Sequence, residues 1–283
     1  MGRQHHDAVR LRGAGAERSE PARLDAALVE RGLAVSRSRA VRVIEEGLAS
    51  VDGRPVTKPS LRVSGSARIE VEGTHAWVSR AALKLNAGLE ASGVDPRGRF
   101  ALDVGASTGG FTQVLLERGA AGVIALDVGH GQLVQQLRDD ERVVVVEGAN
   151  ARELTAESLA GFASWAPSVD LVVADVSFIS LTLVLPALVR SVGTEADFVL
   201  LIKPQFEVGK GGTREGIVRD SAARHDAVMG VLWAAWDAGL PTAGVYSSPI
   251  AGSAGNHEYL AWFSSRVGRN PSEWLEHVAK EVT

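Results

Sequence analysis

Phe100-Ala-Leu-Asp-Val-Gly-Ala-Ser-Thr-Gly-Gly-Phe111 is the stretch of this chain whose residue types most directly prepare for chemistry. The spacing predicts a short buried strand over Phe100–Val104, a glycine-rich turn, and a helix beginning near Gly109. Glycines at 105, 109 and 110 remove Cβ atoms, so the backbone can turn tightly and a ligand can approach it. The helix start behind the turn offers unpaired N–H groups to a polar or anionic group. Twenty-four residues after Asp103, the apolar run Val123–Leu126 ends in Asp127. A strand, a glycine turn, a helix and a second strand tipped with an acid form the nucleotide-ribose grip of a doubly wound sheet. The turn reads Gly-Ala-Ser-Thr-Gly-Gly and departs from the dinucleotide pattern G-x-G-x-x-G. An acid at the end of the first strand disfavours a pyrophosphate and suits a cationic amino-acid moiety. S-adenosylmethionine is therefore favoured over NAD, held by Asp103, Gly105, Ser107, Gly109 and Asp127, with Phe111 lining the pocket.

The elements that must position these residues continue in the same rhythm. Arg142–Glu147 and Val169–Asp175 read as further strands, Ser180–Val192 as a helix, and Phe198–Lys203 as a fifth strand. This alternation argues for an α/β fold with a mostly parallel, doubly wound Rossmann-like sheet covered on both faces. In such a sheet the carboxyl ends of the strands face the ligand crevice. Asp103, Asp127, Asp175 and Lys203 all stand at such ends, which surface decoration does not explain. A helix over Asp220–Ala238 turns Val228, Val231, Leu232 and Ala235 inward, and Trp233 and Trp236 either fill core or cover a groove, with core the preferred reading. Val245–Pro249 and Asn256–Phe263 are expected to close the sheet as an antiparallel pair, before a surface helix over Pro271–Lys280. Gly209–Thr213 only partly matches a phosphate loop, because Pro204 stands where that motif needs glycine, and it reads as a loop near the site.

Composition narrows the function classes. With 283 residues the chain can hold one large α/β domain and one small one. It contains no cysteine, so disulfides and thiolate metal sites are excluded, in keeping with a reducing cytoplasm. The histidines form no H-x-x-x-H or H-E-x-x-H arrangement, so no metal site is expected. The apolar region Val169–Val189 contains Asp170, Asp175 and Pro186, which argues against a membrane span. Residues 1–20 are polar and read as a disordered tail. Residues 21–80 carry 10 Lys/Arg against 7 Asp/Glu, whereas residues 81–283 carry 16 against 24. A basic appendage on an acidic body points, weakly, to an anionic partner for the appendage.

Residues 21–77 read as that appendage, a small α+β domain. One helix runs from Arg23 to Arg31 with Leu24, Ala27 and Leu28 on one face, stopped by Gly32. Ser36 caps a second over Arg37–Glu46 that turns Ala40, Val41 and Ile44 inward. Strand-like pieces follow at Leu48–Val51, Val56–Lys58 and Arg68–Glu72, around the turn Asp52-Gly53. Charge counting alone makes the arginines a solvated helix face. The sequences RLDAALVERGLAVSRSRAVRVIEEG and VDGRPVTKPSLRV, however, resemble the RNA-binding module first known from the fourth small-subunit ribosomal protein. The resemblance implies Arg23, Arg37, Arg39, Arg42 and Lys58 as RNA contacts, consistent with phosphate-directed recognition of RNA shape. Thr74–Val78 reads as the hinge to the second domain, residues 78–283.

That domain opens with a helix capped by Ser79. The spacing of Ala81, Leu85 and Leu89 turns Lys84 away from the apolar stripe, which by itself makes Lys84 a solvated residue. WVSRAALKL, ALDVGASTGGFTQVLLERGA, ALDVGHGQL, ADVSFISLTLVLPAL, LIKPQFEVGKGG and SPIAGSAGNHEYL together resemble the TlyA family, whose catalytic domain is similar to FtsJ-type methyltransferases. The resemblance implies S-adenosylmethionine-dependent 2′-O-methylation of cytidine ribose in 16S and 23S ribosomal RNA, within small and large ribosomal subunits. It implies a catalytic tetrad of Lys84, Asp175, Lys203 and Glu258, and an adenine-side role for Asn150. Two departures are Ala81-Ala82 in place of Gly-Gly and Gly148-Ala149 in place of Arg-Thr. The chemistry suits the residue types. A ribose hydroxyl needs in-line positioning and removal of its proton as it attacks, and a lysine serves as base where burial or nearby positive charge favours its neutral form. Lys203 is expected at the 2′-hydroxyl, tuned by Asp175 and Lys84, with Glu258 positioning Lys84 or the ribose. The competing classes are an NAD-dependent oxidoreductase, an RNA-binding or assembly protein with an inactive methyltransferase domain, and, more distantly, a haemolysin-type toxin.

Overall fold

The structure is a computed structural model that describes residues 11–12, 21–31, 33–34, 37–45, 47–71, 77–209, 213–252 and 255–283. Chain contacts divide it into two compact units, Met1–Ser79 and Arg80–Thr283. Gly32, Ser36, residues 74–76 of the expected hinge and residues 210–212 of the expected loop lie outside the described residues.

The small unit comprises β1 (Leu11–Arg12), β2 (Ala22–Arg23), α1 (Leu24–Glu30), α2 (Arg37–Glu45), β3 (Ala49–Val51), β4 (Arg54–Val56), β5 (Arg62–Val63) and β6 (Ile69–Val71). Its core is Leu24, Ala27 and Leu28 of α1 against Ala40, Val43 and Ile44 of α2, with Val63 and Ile69 from the strands. Val43, not Val41, is the inward residue, because Ala40, Val43 and Ile44 repeat at the helical spacing i, i+3, i+4. The strand expected at Val56–Lys58 begins two residues earlier. Asp52 and Gly53 have φ of 51° and 77°, the two left-handed residues of a tight hairpin turn, so Val51 pairs directly with Arg54. Leu11 and Arg12, inside the segment read as a disordered tail, pair antiparallel with β6. The two-residue pairing of β2 with β5 had no counterpart in the sequence pattern.

The large unit follows the expected alternation: α3 (Ala81–Ser92), β7 (Phe100–Val104), α4 (Gly110–Glu117), β8 (Gly122–Asp127), α5 (Gln135–Arg138), β9 (Val143–Glu147), α6 (Ala156–Phe162), β10 (Val169–Ala174), α7 (Leu181–Val192), β11 (Asp197–Ile202), α8 (Pro204–Glu207), α9 (Ser221–Asp237), β12 (Thr242–Ser247), β13 (Tyr259–Phe263) and α10 (Leu275–Glu281). The sheet order is β12-β13-β11-β10-β7-β8-β9. β9, β8, β7, β10 and β11 are parallel; β13 runs antiparallel to β11, and β12 antiparallel to β13. The chain builds outward from β7 through β8 to β9, then crosses back to place β10 on the other flank of β7. The switch point at which a doubly wound sheet opens a crevice therefore lies between β7 and β10. In α9 the stripe Val228, Val231, Leu232 and Ala235 is fully buried, while Trp233 and Trp236 are 40% and 39% exposed. Both tryptophans fall outside the i, i+3, i+4, i+7 stripe, and the core reading of them was wrong. Arg80, not Ser79, stands at the cap position of α3.

Two glycines of the first turn are required by geometry. Gly105 has φ of 82°, and a Cβ there would lie 2.7 Å from the carbonyl oxygen of Asp175, so the exits of β7 and β10 can approach only if residue 105 is glycine. Gly109 has φ of 100°, and its Cβ would strike the side chains of Leu133 and Leu137. Gly109→Ala should therefore combine left-handed strain of about 1–2 kcal/mol with overpacking of about 1–3 kcal/mol. Chemical denaturation should show a loss in that combined range, with an unchanged slope.

Candidate active site

A cavity of about 530 Å³ opens at the switch point, within the usual size for a small-molecule site. Its wall is built from the exits of four parallel strands. Gly105 and Ser107 follow β7, Asp127 ends β8, Asn150 follows β9, and Asp175 to Ile179 follow β10. Asp127 organises the turn: its Oδ2 accepts from Ser107 N at 2.8 Å and its Oδ1 from Gly129 N at 2.7 Å. These bonds hold Ser107 at φ of 48°, and its hydroxyl donates to Gln132 at 3.0 Å. Asn150 is exposed at the rim and caps the following turn through Arg152 N, at 3.2 Å.

Three residues expected at the cofactor do not line this cavity. Gly109 packs beneath the turn as described, and Phe111 is buried in α4. Asp103 lies one residue before the end of β7, fully buried, with Oδ2 accepting from Thr112 Oγ1 at 2.6 Å and Oδ1 without a hydrogen-bond partner among the described residues. Burial, reinforced by the negative charge of Asp175, pushes its carboxyl up to about 7.

The four expected catalytic residues form two ion pairs. Lys203 follows β11, and its Nζ stands 2.6 Å from Asp175 Oδ1. This contact is coulombic and not an aligned hydrogen bond; the ammonium directs its hydrogen bond to Ser177 Oγ at 2.7 Å. Lys84 Nζ donates to Glu258 Oε2 at 2.5 Å, with only 10% and 3% of the two side chains exposed. The solvated reading of Lys84 is thus overturned. The buried face of α3 includes Lys84 and, one turn later, Gly88, whose missing Cβ is the space taken by Leu260 of β13. The helix can therefore lie close against β13, and Lys84 reaches Glu258 at the entry of that strand. The topology also brings the pairs to one edge. Ile202 is paired with Tyr259, so Lys203 and Glu258 are the next residues beyond that register on neighbouring strands.

In the small unit, Arg42 and Lys58 are exposed, and the Arg39 side chain lies outside the described residues. Arg23 and Arg37 share a buried carboxylate, Asp25, at 2.9 and 3.4 Å. The hydrogen bond from Arg23 holds the Asp25 carboxyl below its ordinary range. Sequence reasoning missed Asp25, Ser177 and Gly88. The signal for Asp25 was an acid two residues after an arginine on the apolar face of α1; Ser177 carried none beyond its place after a strand-ending acid.

Comparison with known proteins assigns this arrangement. An FtsJ-like methyltransferase model matches residues 77–265, and an S4 domain model matches residues 22–69. The 16S/23S rRNA (cytidine-2′-O)-methyltransferase TlyA of Mycobacterium tuberculosis is 50% identical over 251 residues, 88% of this chain and 91% of that protein. The chain belongs to the TlyA family. Hemolysin A of Brachyspira hyodysenteriae is 40% identical, covering 85% of this chain and 99% of the relative. A solved structure from Streptococcus thermophilus, carrying a provisional hemolysin name, superposes with a TM-score of 0.71 at 34% identity, over 93% of this chain and 96% of that one. In this TlyA-family chain the larger unit is a methyltransferase domain and the smaller an S4 domain.

Two outcomes test the site's electrostatics. Lys84→Ala leaves Glu258 buried without its cation and should cost about 3–5 kcal/mol, whereas replacing both residues by apolar ones of similar volume should recover most of the loss. Chemical denaturation of the single and double variants checks this. The folded Asp103 carboxyl keeps its proton up to about pH 7, while the unfolded one loses it near its ordinary 3.8. The folded state therefore holds the extra proton in this window, and the contribution of Asp103 to stability falls as pH rises through it. At about 1.4 kcal/mol per unit, the fall amounts to as much as about 4 kcal/mol. The stability of Asp103→Asn relative to wild type should thus increase from about pH 4 to about pH 7.

Proposed function

We propose that this protein transfers the methyl group of S-adenosylmethionine to the 2′-hydroxyl of cytidine in ribosomal RNA, acting on small or large ribosomal subunits. The observation that carries the reading is Lys203, held by Asp175 and Ser177, which are themselves part of the wall of a cavity whose size and acidic residues suit a cationic nucleoside. Asp127 and Asp175 supply negative charge to that wall, and Gly105 and Ser107 supply a backbone cradle. Asn150 stands at the rim, while Asp103, Gly109 and Phe111 support the turn from below.

The cofactor supplies an electrophilic methyl group on a sulfonium, so the protein's tasks are alignment and handling of one proton. Lys203 acts from its neutral form: the Nζ lone pair takes the hydroxyl proton as the oxygen attacks the methyl group, and the ammonium so formed is held by Asp175 and Ser177. Lys84 and Glu258 hold the neighbouring strand edge and the sugar. Phe178, 92% exposed at the cavity wall, offers an aromatic face to a base taken out of its stack. In the S4 domain, Arg23, Arg37, Arg39, Arg42 and Lys58 bind the phosphate backbone of structured RNA, and Asp25 preorganises the first two. Relatives carry hemolysin names, but among the described residues no helix is long and apolar enough to cross a membrane.

Lys203→Ala should abolish transfer of labelled methyl to unmodified ribosomal subunits in a protein that still folds and binds the cofactor, with a lowered thermal transition because Asp175 loses its cation. Retained turnover would remove Lys203 from the reaction. Cofactor binding without transfer by the wild type would favour a binding or assembly role instead.

A further inference from the structure

The turn after β10 and the turn after β11 run side by side and touch at three levels. At the first, Asp175 and Ser177 meet Lys203. At the second, the Phe178 ring tilts against Phe206, with centroids 5.3 Å apart and planes at 50°. At the third, Glu207 closes the ladder: Oε2 accepts from Ser180 Oγ at 2.5 Å and Oε1 from Leu181 N at 2.9 Å. The first two levels are accounted for by methyl transfer, and the third is not.

Helix capping alone does not explain Glu207. Ser180 is already the cap of α7, its hydroxyl accepting from Thr182 N at 3.1 Å. A half-buried carboxylate has been added where a neutral cap exists, against a desolvation that raises its pKa. What the carboxylate adds is a further tie between two turns already joined by the Lys203 contacts and one ring pair. Phe178 needs such a tie. Its φ is 64°, a backbone conformation that a bulky side chain keeps only where its surroundings fix it from both sides. Asp175 anchors the turn before Phe178, and Glu207 anchors it after.

We infer that Glu207 is a positioning residue for methyl transfer: by tying Ser180 and Leu181 to the Lys203 turn, it keeps Asp175 and Ser177 on Lys203 and holds Phe178 in its strained pose. The inference rests on the methyltransferase reading. Its role is felt more in the chemical step than in cofactor binding, since Glu207 does not itself line the cavity and the β8 wall that Asp127 organises is independent of it.

The test compares wild type, Glu207→Ala, Glu207→Gln and Ser180→Ala as full chains. Steady-state methyl transfer to unmodified ribosomal subunits is measured beside S-adenosylmethionine affinity and thermal unfolding. Glu207→Ala should lower kcat about ten- to hundred-fold, the scale of a small misplacement at a reacting centre. Cofactor affinity and the KM for subunits should change much less than kcat, because Glu207 acts on the cavity only through Asp175, Ser177 and Phe178 and leaves the β8 wall in place. Glu207→Gln, which keeps the length and can still accept from Leu181 N, should recover much of the loss. If Glu207→Ala does not fold, the other two variants each weaken one tie and should show a smaller fall of the same kind. Wild-type turnover in all variants, or a kcat that falls only in step with cofactor affinity or folded fraction, would overturn the inference. An inactive wild type would overturn the methyltransferase reading, and this inference with it.

Discussion

Keeping charge paired away from water is the constraint on which the large unit depends. Lys84, Lys203 and Glu258 are buried at the carboxyl edge of a sheet whose strands are mostly apolar, and Asp175 is nearly so. An isolated charge in such a place costs several kcal/mol, so each lysine must find its acid. The positions of the strands, and of α3 against β13, follow from that need as much as from apolar packing. Glycines at the approaches keep the distances short enough. Without Gly105 the exits of β7 and β10 would separate, and without Gly88 helix α3 would stand off from Leu260.

A division of labour follows within the site. The β8 edge, with Asp127 already engaged by two backbone N–H groups, is a preformed acceptor surface that need not reorganise around a ligand. The β10–β11 edge carries Lys203, paired with Asp175, and an exposed aromatic ring on a strained turn. On the proposed reading one side serves binding and the other chemistry, and they meet at Asp175.

Most of the fold was legible because parallel strands buried on both faces show in sequence as apolar runs, and a charge then marks where each run leaves the core. Asp127, Asp175 and Lys203 were read in this way. Asp103 obeys the pattern in sequence and not in space: it precedes the strand's last residue, and its carboxyl is taken up inside by Thr112. Lys84 was hidden for the opposite reason. Its face of α3 is marked by Gly88, which has no hydrophobicity to register although it lies at the closest contact. The strands of the small unit, two or three residues long, carry no period at all. Counting charges could not show that Arg23 and Arg37 converge, because the acid joining them is a core residue. That Lys84 belongs with Glu258 was suggested only by family resemblance, since spacing alone would have discarded Lys84.

The antiparallel course of β13 has a consequence for how the molecule is made. Glu258 stands at the entry to its strand, and its partner Lys84 is 174 residues earlier in the chain. Lys84 belongs to the first helix of the methyltransferase unit, whereas β13 is its last strand. During synthesis the lysine emerges long before the acid that will neutralise it, and the closure of so long a loop is deferred until the sheet is otherwise complete. A chain ending before β13 would carry the cavity wall, Asp175 and Lys203 but leave Lys84 without its acid. Burial of that lysine as half of an ion pair is therefore among the last steps in the assembly of the unit.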